Sequence, residues 1–188
     1  SLDELKGGKL KMRALPEVRI EDLLGREEIR INMEEIAGSL KGKVVLVTGA
    51  AGSIGSELCR QLCHFGLKQL VLFDSAETPM HNIRLELEEK FPDVEFTPVM
   101  GDIRMIHRVE SIYQRFHPQL VFHAAAYKHV PLMEENPCEA VHTNVYGTRN
   151  VADMAVKYDV DKFIMVSTDK AVNPTNVMGA VSYTHLRA

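Results

Sequence analysis

The sequence predicts an α/β protein built on a doubly wound parallel sheet. Short apolar runs alternate with amphipathic stretches long enough for several helical turns. Glycines cluster at the first junction between such a run and the stretch that follows. The 188 residues, 45% hydrophobic and 26% charged, have the balance of one globular domain or a little more. Strands that alternate with helices of this length form right-handed βαβ units, with the sheet covered on both faces.

Residues 1–42 are charge-rich without a clean period and read as an arm or linker. Within them Val18 to Gly25 has the pattern of a short helix ended by glycine. Residues 43–180 carry the alternating pattern. Lys43 to Val47 reads as a buried strand. Ser53 to Phe65 reads as a helix, with Ile54, Leu58 and Leu62 four residues apart and Gly66 as the stop. Gln69 to Phe73 is a second strand. Pro79 to Phe91 is an amphipathic helix, with Ile83 and Leu87 opposite Glu86, Glu89 and Lys90. Val94 to Met100 is a third strand; Pro98 donates no ladder bond and calls for an exposed or irregular place. Met105 to Phe116 is a helix and Leu120 to Ala126 a fourth strand. Asn136-Pro137 is a helix start, a capping residue before a first-position proline, for a helix reaching about Tyr158. Lys162 to Ser167 is a fifth strand. No pattern is clear after Ala180, so the sheet reads as incomplete at the C-terminus.

Composition excludes several classes. A net charge of -4 offers no basic surface to nucleic acid. No apolar run approaches the ~20 residues that span a bilayer, so no direct membrane insertion is expected. The start, Ser1-Leu2-Asp3-Glu4, is charged and unlike a signal peptide. Cys59 and Cys63 lie one helical turn apart and read as packed thiols, and Cys138 stands alone. This usage points to a reducing cytoplasm. His107, His142 and the other histidines lack metal-ligand spacing, so no metal is expected.

Thr48-Gly49-Ala50-Ala51-Gly52-Ser53-Ile54-Gly55 follows the first strand and opens the first helix. The spacing G-x-x-G-x-x-G is a variant of the dinucleotide fingerprint of a Rossmann-type sheet. Gly49 makes the tight turn, Gly52 lets backbone approach a pyrophosphate, and Gly55 lets helix and strand pack closely. The helix start at Ser53 and Ile54 offers free N–H groups to phosphates. Asp74 ends the second strand, where a carboxylate accepts from ribose hydroxyls and repels a 2′-phosphate. NAD is therefore expected over NADP; the alternative for Asp74 is a turn residue. Asp102, with Ile103 after it, is placed to contact adenine or to cap a helix. Ala124, Ala125 and Ala126 leave room for a cofactor across the sheet edge, or simply for helix packing.

Four motifs carry a resemblance: Val45-Leu-Val-Thr-Gly-Ala-Ala-Gly-Ser-Ile-Gly-Ser-Glu-Leu58, His123-Ala-Ala-Ala-Tyr-Lys-His-Val-Pro131, Asn144-Val-Tyr-Gly-Thr148 and Ser167-Thr-Asp-Lys-Ala-Val-Asn-Pro-Thr-Asn-Val-Met-Gly179. From about Val18 to Ala180 the chain resembles extended short-chain dehydrogenase/reductases. Within them it resembles the polysaccharide-biosynthesis (CapD/PglF-like) nucleotide-sugar 4,6-dehydratases. The stretch Ile20-Glu-Asp-Leu-Leu-Gly-Arg26 resembles the segment before the catalytic domain of membrane-anchored members, which implies a parent held at the cytoplasmic face of the inner membrane.

The resemblance implies a nucleotide-diphosphate sugar, a UDP-N-acetylhexosamine, oxidised at C4, dehydrated across C5–C6 and reduced at C6, in a self-associating protein. It implies that Thr168 binds the substrate near C4, that Asp169 protonates the departing C6 hydroxyl and that Lys170 takes the C5 proton; the alternative is that Asp169 caps a turn and Lys170 is solvated. Such work needs a raised Asp169 pKa and a lowered Lys170 pKa; a plain ion pair opposes both. Met178 stands where many relatives carry a tyrosine, as the group's own pattern has it, so the C4 hydroxyl proton must leave by another group or water. The group places a lysine four residues later; this chain has Ser182, and residues 181–188 read as a tail foreign to the family. Lys128, His129 and Asn173 are candidate substrate contacts, with hydrogen-bonded surface residues as the alternative. Asn144 matches a position that braces the site in related folds, with a buried polar residue bonded to backbone as the alternative. A further strand and a substrate lobe are expected in a full domain, so the chain reads as a part that binds cofactor with little turnover. Other readings left open are a nucleotide-sugar 4-epimerase and a non-catalytic dinucleotide-binding piece.

Overall fold

Apolar runs rich in valine and leucine pair as parallel strands: β1 (Val44–Thr48), β2 (Gln69–Asp74), β3 (Phe96–Met100), β4 (Leu120–His123) and β5 (Lys162–Met165). Their spatial order is β3-β2-β1-β4-β5. The structure is a computed structural model that describes residues 33–187, with side chains to residue 184. The helix expected over Val18 to Gly25 lies outside the described residues. This order is that of a Rossmann sheet, with the reversal point between β1 and β4, where such sheets bind ligands beyond the carboxyl ends of the strands.

Alternation along the strands divides the core into two layers. Val45, Val47, Leu70, Leu72 and Leu120 face one side, where they meet Cys59 and Leu62 of α2 (Ser53–Leu62) and Ile83 and Leu87 of α3 (Glu77–Lys90). Leu40 of α1 (Met33–Leu40), within the 1–42 stretch, joins the same layer. Leu46, Val71, Phe73 and Val121 face the other side, against Val109, Ile112 and Tyr113 of α4 (Ile106–Phe116). Val151 and Met154 of α7 (Thr148–Lys157) complete that layer. Full burial of one such side chain, as at Leu87 with 0% exposure, contributes roughly 1.5–3 kcal/mol. Pro98 pairs with Leu72 on edge strand β3, the kind of place its missing N–H requires.

The structure departs from the sequence expectations at several element ends. The buried face of α2 is Gly55, Cys59 and Leu62; Ile54 is 53% exposed and faces a cavity. Close approach of Gly55 to the preceding turn fixes that rotation. β4 ends at His123 rather than Ala126, because β1 turns away at Gly49 and offers no further ladder. β5 ends at Met165 rather than Ser167. Val130–Glu135 forms α5, which had no expected counterpart. The expected helix from Asn136 to Tyr158 is divided into α6 (Pro137–Ala140), a π-helical stretch (Val141–Gly147) and α7. Asn136 does not cap with its side chain; its amide donates to the Leu132 carbonyl at 3.0 Å instead.

Beyond Ala180, where no pattern was clear, α8 (Val177–Arg187) continues. Its Met178 and Val181 pack with Met133 and Ala140 in a small third core. The start of α8 is capped twice. Val177 N–H donates to Glu134 Oε1 at 2.6 Å, and Gly179 N–H donates to Asn176 Oδ1 at 2.8 Å. Both acceptors satisfy orphan helix-end donors.

Candidate active site

The turn after β1 is built from backbone that excludes side chains. Gly49 has φ +69°, and a Cβ there would stand 2.6 Å from the Ala124 carbonyl carbon. A Cβ on Gly55 would overlap the Gly49 carbonyl oxygen. Gly52 differs: its φ of -73° suits any residue, and a Cβ would meet only the Gly49 oxygen at 3.3 Å. Gly52 is exposed, so its missing side chain leaves room on the outer surface of the turn. Ser53, Ile54 and Gly55 open α2, where N–H groups lack intrahelical acceptors. The turn thus offers an anion donors and a positive helix end.

Asp74 closes this turn from β2. Its Oδ2 accepts from Ala51 N–H at 3.0 Å and its Oδ1 from Ala76 N–H at 2.9 Å. A carboxylate has about four acceptor sites, so both oxygens keep capacity for ribose hydroxyls. The turn-residue role and the ligand role are compatible. Asp74, Asp102 and Ile103 line a cavity of about 150 Å³ together with Gly49 and Ala124 to Ala126. Asp102 does not cap α4. It accepts Arg104 N–H at 2.8 Å and pairs with the Arg104 guanidinium, which also reaches Glu139 at 2.8 Å. Burial works to raise the Asp102 pKa, but the Arg104 bonds outweigh it and hold the carboxyl below its ordinary value. Arg104 was not anticipated at this site; its place two residues after Asp102 was the available signal.

A second cavity of about 250 Å³ adjoins the same loop, lined by Ile54, Ala124, Ala126, Lys128, Thr168, Lys170 and Met178. Met178 is buried at 5% exposure, and Ser182 Oγ lies 3.9 Å from its sulfur. Lys128 Nζ reaches Ser53 Oγ at 3.1 Å, which brings the loop after β4 to the start of α2. His129 lines a separate apolar pocket with Leu132 and Met133. Asn173 is exposed and lines neither cavity. Gly179 lets this wall form, since a Cβ there would stand 2.6 Å from the Lys170 carbonyl oxygen.

Thr168, Asp169 and Lys170 follow β5 at the carboxyl edge of the sheet. Thr168 Oγ1 donates to Asp169 Oδ1 at 3.0 Å and accepts from Lys170 N–H at 3.3 Å. The raised pKa expected for Asp169 is not found. The Thr168 hydroxyl, then the Lys170 charge, hold it below its ordinary value. Its side chain is 92% exposed and stands 3.7 Å from Lys170 Nζ, so the opposing effect of desolvation is outweighed. The two groups form the simple pair that works against an acid role in the free chain. Elsewhere, burial raises the thiols of Cys59 and Cys63, the latter to about 11, which keeps them as packed groups. Among the described residues no cluster of His, Cys, Asp or Glu is arranged to hold a metal, and no helix is long and apolar enough to cross a membrane.

Asn144 sits fully buried in the π-helical stretch and braces the loop after β4. Its Oδ1 accepts from Tyr127 N–H at 2.8 Å and its Nδ2 donates to the Tyr127 carbonyl at 2.9 Å. Asn144→Leu keeps the volume and strands both backbone groups. A urea melt will show a loss of about 2 kcal/mol; an unchanged midpoint overturns the bracing role.

A family described as "Polysaccharide biosynthesis protein" matches residues 45–185. The chain is 45% identical over 181 residues to the capsular polysaccharide biosynthesis protein CapD of Staphylococcus aureus, covering 96% of this chain and 30% of that protein. It is 38% identical to a UDP-glucose 4-epimerase of Rickettsia rickettsii, over 73% of this chain and 40% of that one. It is 36% identical to the UDP-N-acetylglucosamine 4,6-dehydratase (inverting) of Campylobacter jejuni, over 74% of this chain and 40% of that one. The chain thus spans well under half the length of these relatives. Among solved structures, Pen from Bacillus thuringiensis matches with TM-score 0.74 and 35% identity, over 79% of this chain and 46% of that one. The NAD-bound UDP-glucose-4-epimerase of Stenotrophomonas maltophila shares the fold, with TM-score 0.68 and 22% identity over 77% of this chain and 47% of that one. Motifs, sheet order and these matches agree that the chain belongs to the polysaccharide biosynthesis protein family, within the short-chain dehydrogenase/reductase superfamily.

Proposed function

We propose that this chain is the cofactor-binding part of an NAD-dependent nucleotide-sugar 4,6-dehydratase, acting on a UDP-N-acetylhexosamine in surface-glycan synthesis. The observation that carries the reading is the second cavity. It joins the start of α2 and the loop after β4 to Thr168, Lys170 and Met178; the exposed Asp169 carboxylate stands 3.7 Å from Lys170 Nζ. The named dehydratase and epimerase relatives support a nucleotide sugar as the substrate class. Residues 43–180 form the functional unit in this reading.

The residues present fit a dinucleotide: a turn that side chains would fill, a helix start for the pyrophosphate, and Asp74 for the ribose. NAD is preferred over NADP because the Asp74 carboxylate repels a 2′-phosphate. Held by the Gly49–Gly55 turn and Asp74, a bound dinucleotide would supply reversible hydride transfer with the sugar. Thr168 holds the substrate near C4. Lys170 receives the C5 proton, which the 4-ketone acidifies. Asp169 gives a proton to the C6 oxygen as water leaves. Met178 exchanges no proton and shapes the cavity wall, so the C4 hydroxyl proton passes to water or another side chain. For Asp169 to act, substrate must cover it and draw away the Thr168 hydroxyl, reversing the effects that lower its pKa in the free chain.

Calorimetry with NAD and NADP tests the cofactor half of the reading. The chain will bind NAD well above NADP, and Gly52→Val will lose that binding while keeping its melting temperature. Equal affinity for both cofactors overturns the Asp74 argument; no binding overturns the proposed site. With the chain extended to full length, release of a 4-keto-6-deoxy sugar supports dehydration. Clean C4 epimerisation selects the epimerase instead.

A further inference from the structure

Beneath the cofactor turn lies a buried histidine that the proposed chemistry does not use. His123 is 2% exposed at the end of β4. Its Nδ1 lies 2.6 Å from Thr48 Oγ1, and its Nε2 lies 2.8 Å from Thr148 Oγ1. Thr48 is 0% exposed and Thr148 is 5% exposed. The ring also stacks on Phe163 of β5, with centroids 6.0 Å apart. Main-chain bonds extend the connection. The Thr48 carbonyl accepts from Ala124 N–H at 3.0 Å, and the His123 carbonyl accepts from Val166 N–H at 2.9 Å.

The places of these partners matter more than their number. Thr48 directly precedes Gly49, the turn residue whose missing Cβ lets the Ala124 backbone come close. His123 directly precedes Ala124 to Ala126, which line both cavities in part. Val166 directly precedes the stretch that carries Thr168, Asp169 and Lys170. Thr148 anchors the far side of the ring to α7. The ring therefore ties the residue before the dinucleotide turn to α7 and stacks on β5, while the His123 main chain holds the start of the loop after β5.

We infer that His123, with Thr48 and Thr148, is a positioning clasp that sets the spacing between the dinucleotide turn and the loops after β4 and β5. The inference rests on the proposed dinucleotide reading. Threonine hydroxyls both donate and accept, so they satisfy either neutral tautomer of the ring. A buried hydrogen-bonded group of this kind fixes one geometry where an apolar contact would tolerate sliding.

Two nearly equal substitutions separate the clasp from simple packing. Thr48→Val keeps the shape and removes the hydroxyl. Thr48→Ser keeps the hydroxyl and removes a methyl group. The affinity of each folded variant for NAD is measured by calorimetry, and exchange of the Ala124 and Val166 amides by NMR without ligand. The clasp predicts about tenfold weaker NAD binding in Thr48→Val, affinity within about twofold of the unchanged chain in Thr48→Ser, and faster amide exchange only in the valine variant. If valine binds NAD as well as serine does, or leaves both amides as protected, the clasp is overturned. A packing role alone would favour valine. If the unchanged chain binds no NAD, the proposed function fails and the cofactor role of the clasp fails with it. Altered exchange then marks a purely structural link, so the two failures remain distinct.

Discussion

Gly55→Ala will cost the domain about 3 kcal/mol or more and abolish dinucleotide binding. A single methyl group causes this because of where it must go. The added Cβ overlaps the Gly49 carbonyl oxygen, stands 2.7 Å from the Gly49 carbonyl carbon and 2.9 Å from the Ala50 Cα. All three are backbone atoms, so no rotamer change relieves the contact. The turn cannot simply retreat either. Gly49 and Ala50 N–H groups both donate to the Phe73 carbonyl, at 2.9 and 3.3 Å, and the Ala51 N–H is held by Asp74. Relief requires α2 to lift from β1, which opens the layer where Cys59 and Leu62 meet Val45 and Val47. A domain with total stability of roughly 5–15 kcal/mol loses a large share in that movement. Chemical denaturation of the alanine variant will show the fall, and calorimetry at a temperature where it remains folded will show no NAD binding. A variant of unchanged stability would mean that the turn is looser than these distances describe. Gly52→Val makes the contrast, because its Cβ meets a single backbone atom, the Gly49 oxygen at 3.3 Å, so its main effect falls on the ligand.

The difference between these glycines was partly legible in the sequence. Spacing placed all three at the junction of a strand and a helix, and the structure puts Gly49 and Gly52 in the turn and Gly55 in the first turn of α2. The strands were legible because each is a short, mainly apolar run, and the three central ones are largely buried on both faces, while edge strands β3 and β5 are only partly covered. The two helices that cover one face, α2 and α3, also announced themselves, although α2 presents Gly55 rather than Ile54 to the sheet. What escaped were elements defined by distant partners. α5 has six residues and little periodicity, and it packs through Met133 against Met178 and Val181 of α8. α8 itself depends on Glu134, supplied from α5. The π-helical stretch is invisible to a 3.6-residue period, yet it points Asn144 at the Tyr127 backbone. At the site, Asp74 and Asp102 stand at the strand ends where the pattern put them. Their bonds to Ala51 and Arg104 follow from loop geometry that spacing does not encode. His123 was read only as part of a motif, because no local pattern reveals that two threonines 75 and 25 residues away converge on its ring.

The second large effect concerns Asp169 and Lys170 in the full-length protein. Asp169→Asn and Lys170→Met will each lower kcat for dehydration by about 10²–10⁴-fold, the usual contribution of one positioned proton transfer. Cofactor affinity will change little, since neither side chain lines the cavity that holds Asp74 and Asp102. The two roles separate by isotope exchange. In deuterated water Asp169→Asn will still exchange the C5 hydrogen of the substrate, because Lys170 remains to remove it. Lys170→Met will not. The double variant will fall no further than the slower single variant if both groups serve one elimination step. The free chain supplies a sign that can be checked separately. Thr168 is the leading cause of the low Asp169 pKa, so Thr168→Val will raise it, read from the carboxyl carbon shift during a pH titration. An acid must be protonated to act, so in the full enzyme kcat falls as pH rises through the Asp169 pKa of the substrate complex. Asp169→Asn removes that limb of the profile. If the alkaline limb persists in the asparagine variant, or dehydration proceeds at its original rate, Asp169 is not the acid. The Thr168-Asp169-Lys170 cluster would then position substrate while another group delivers the proton.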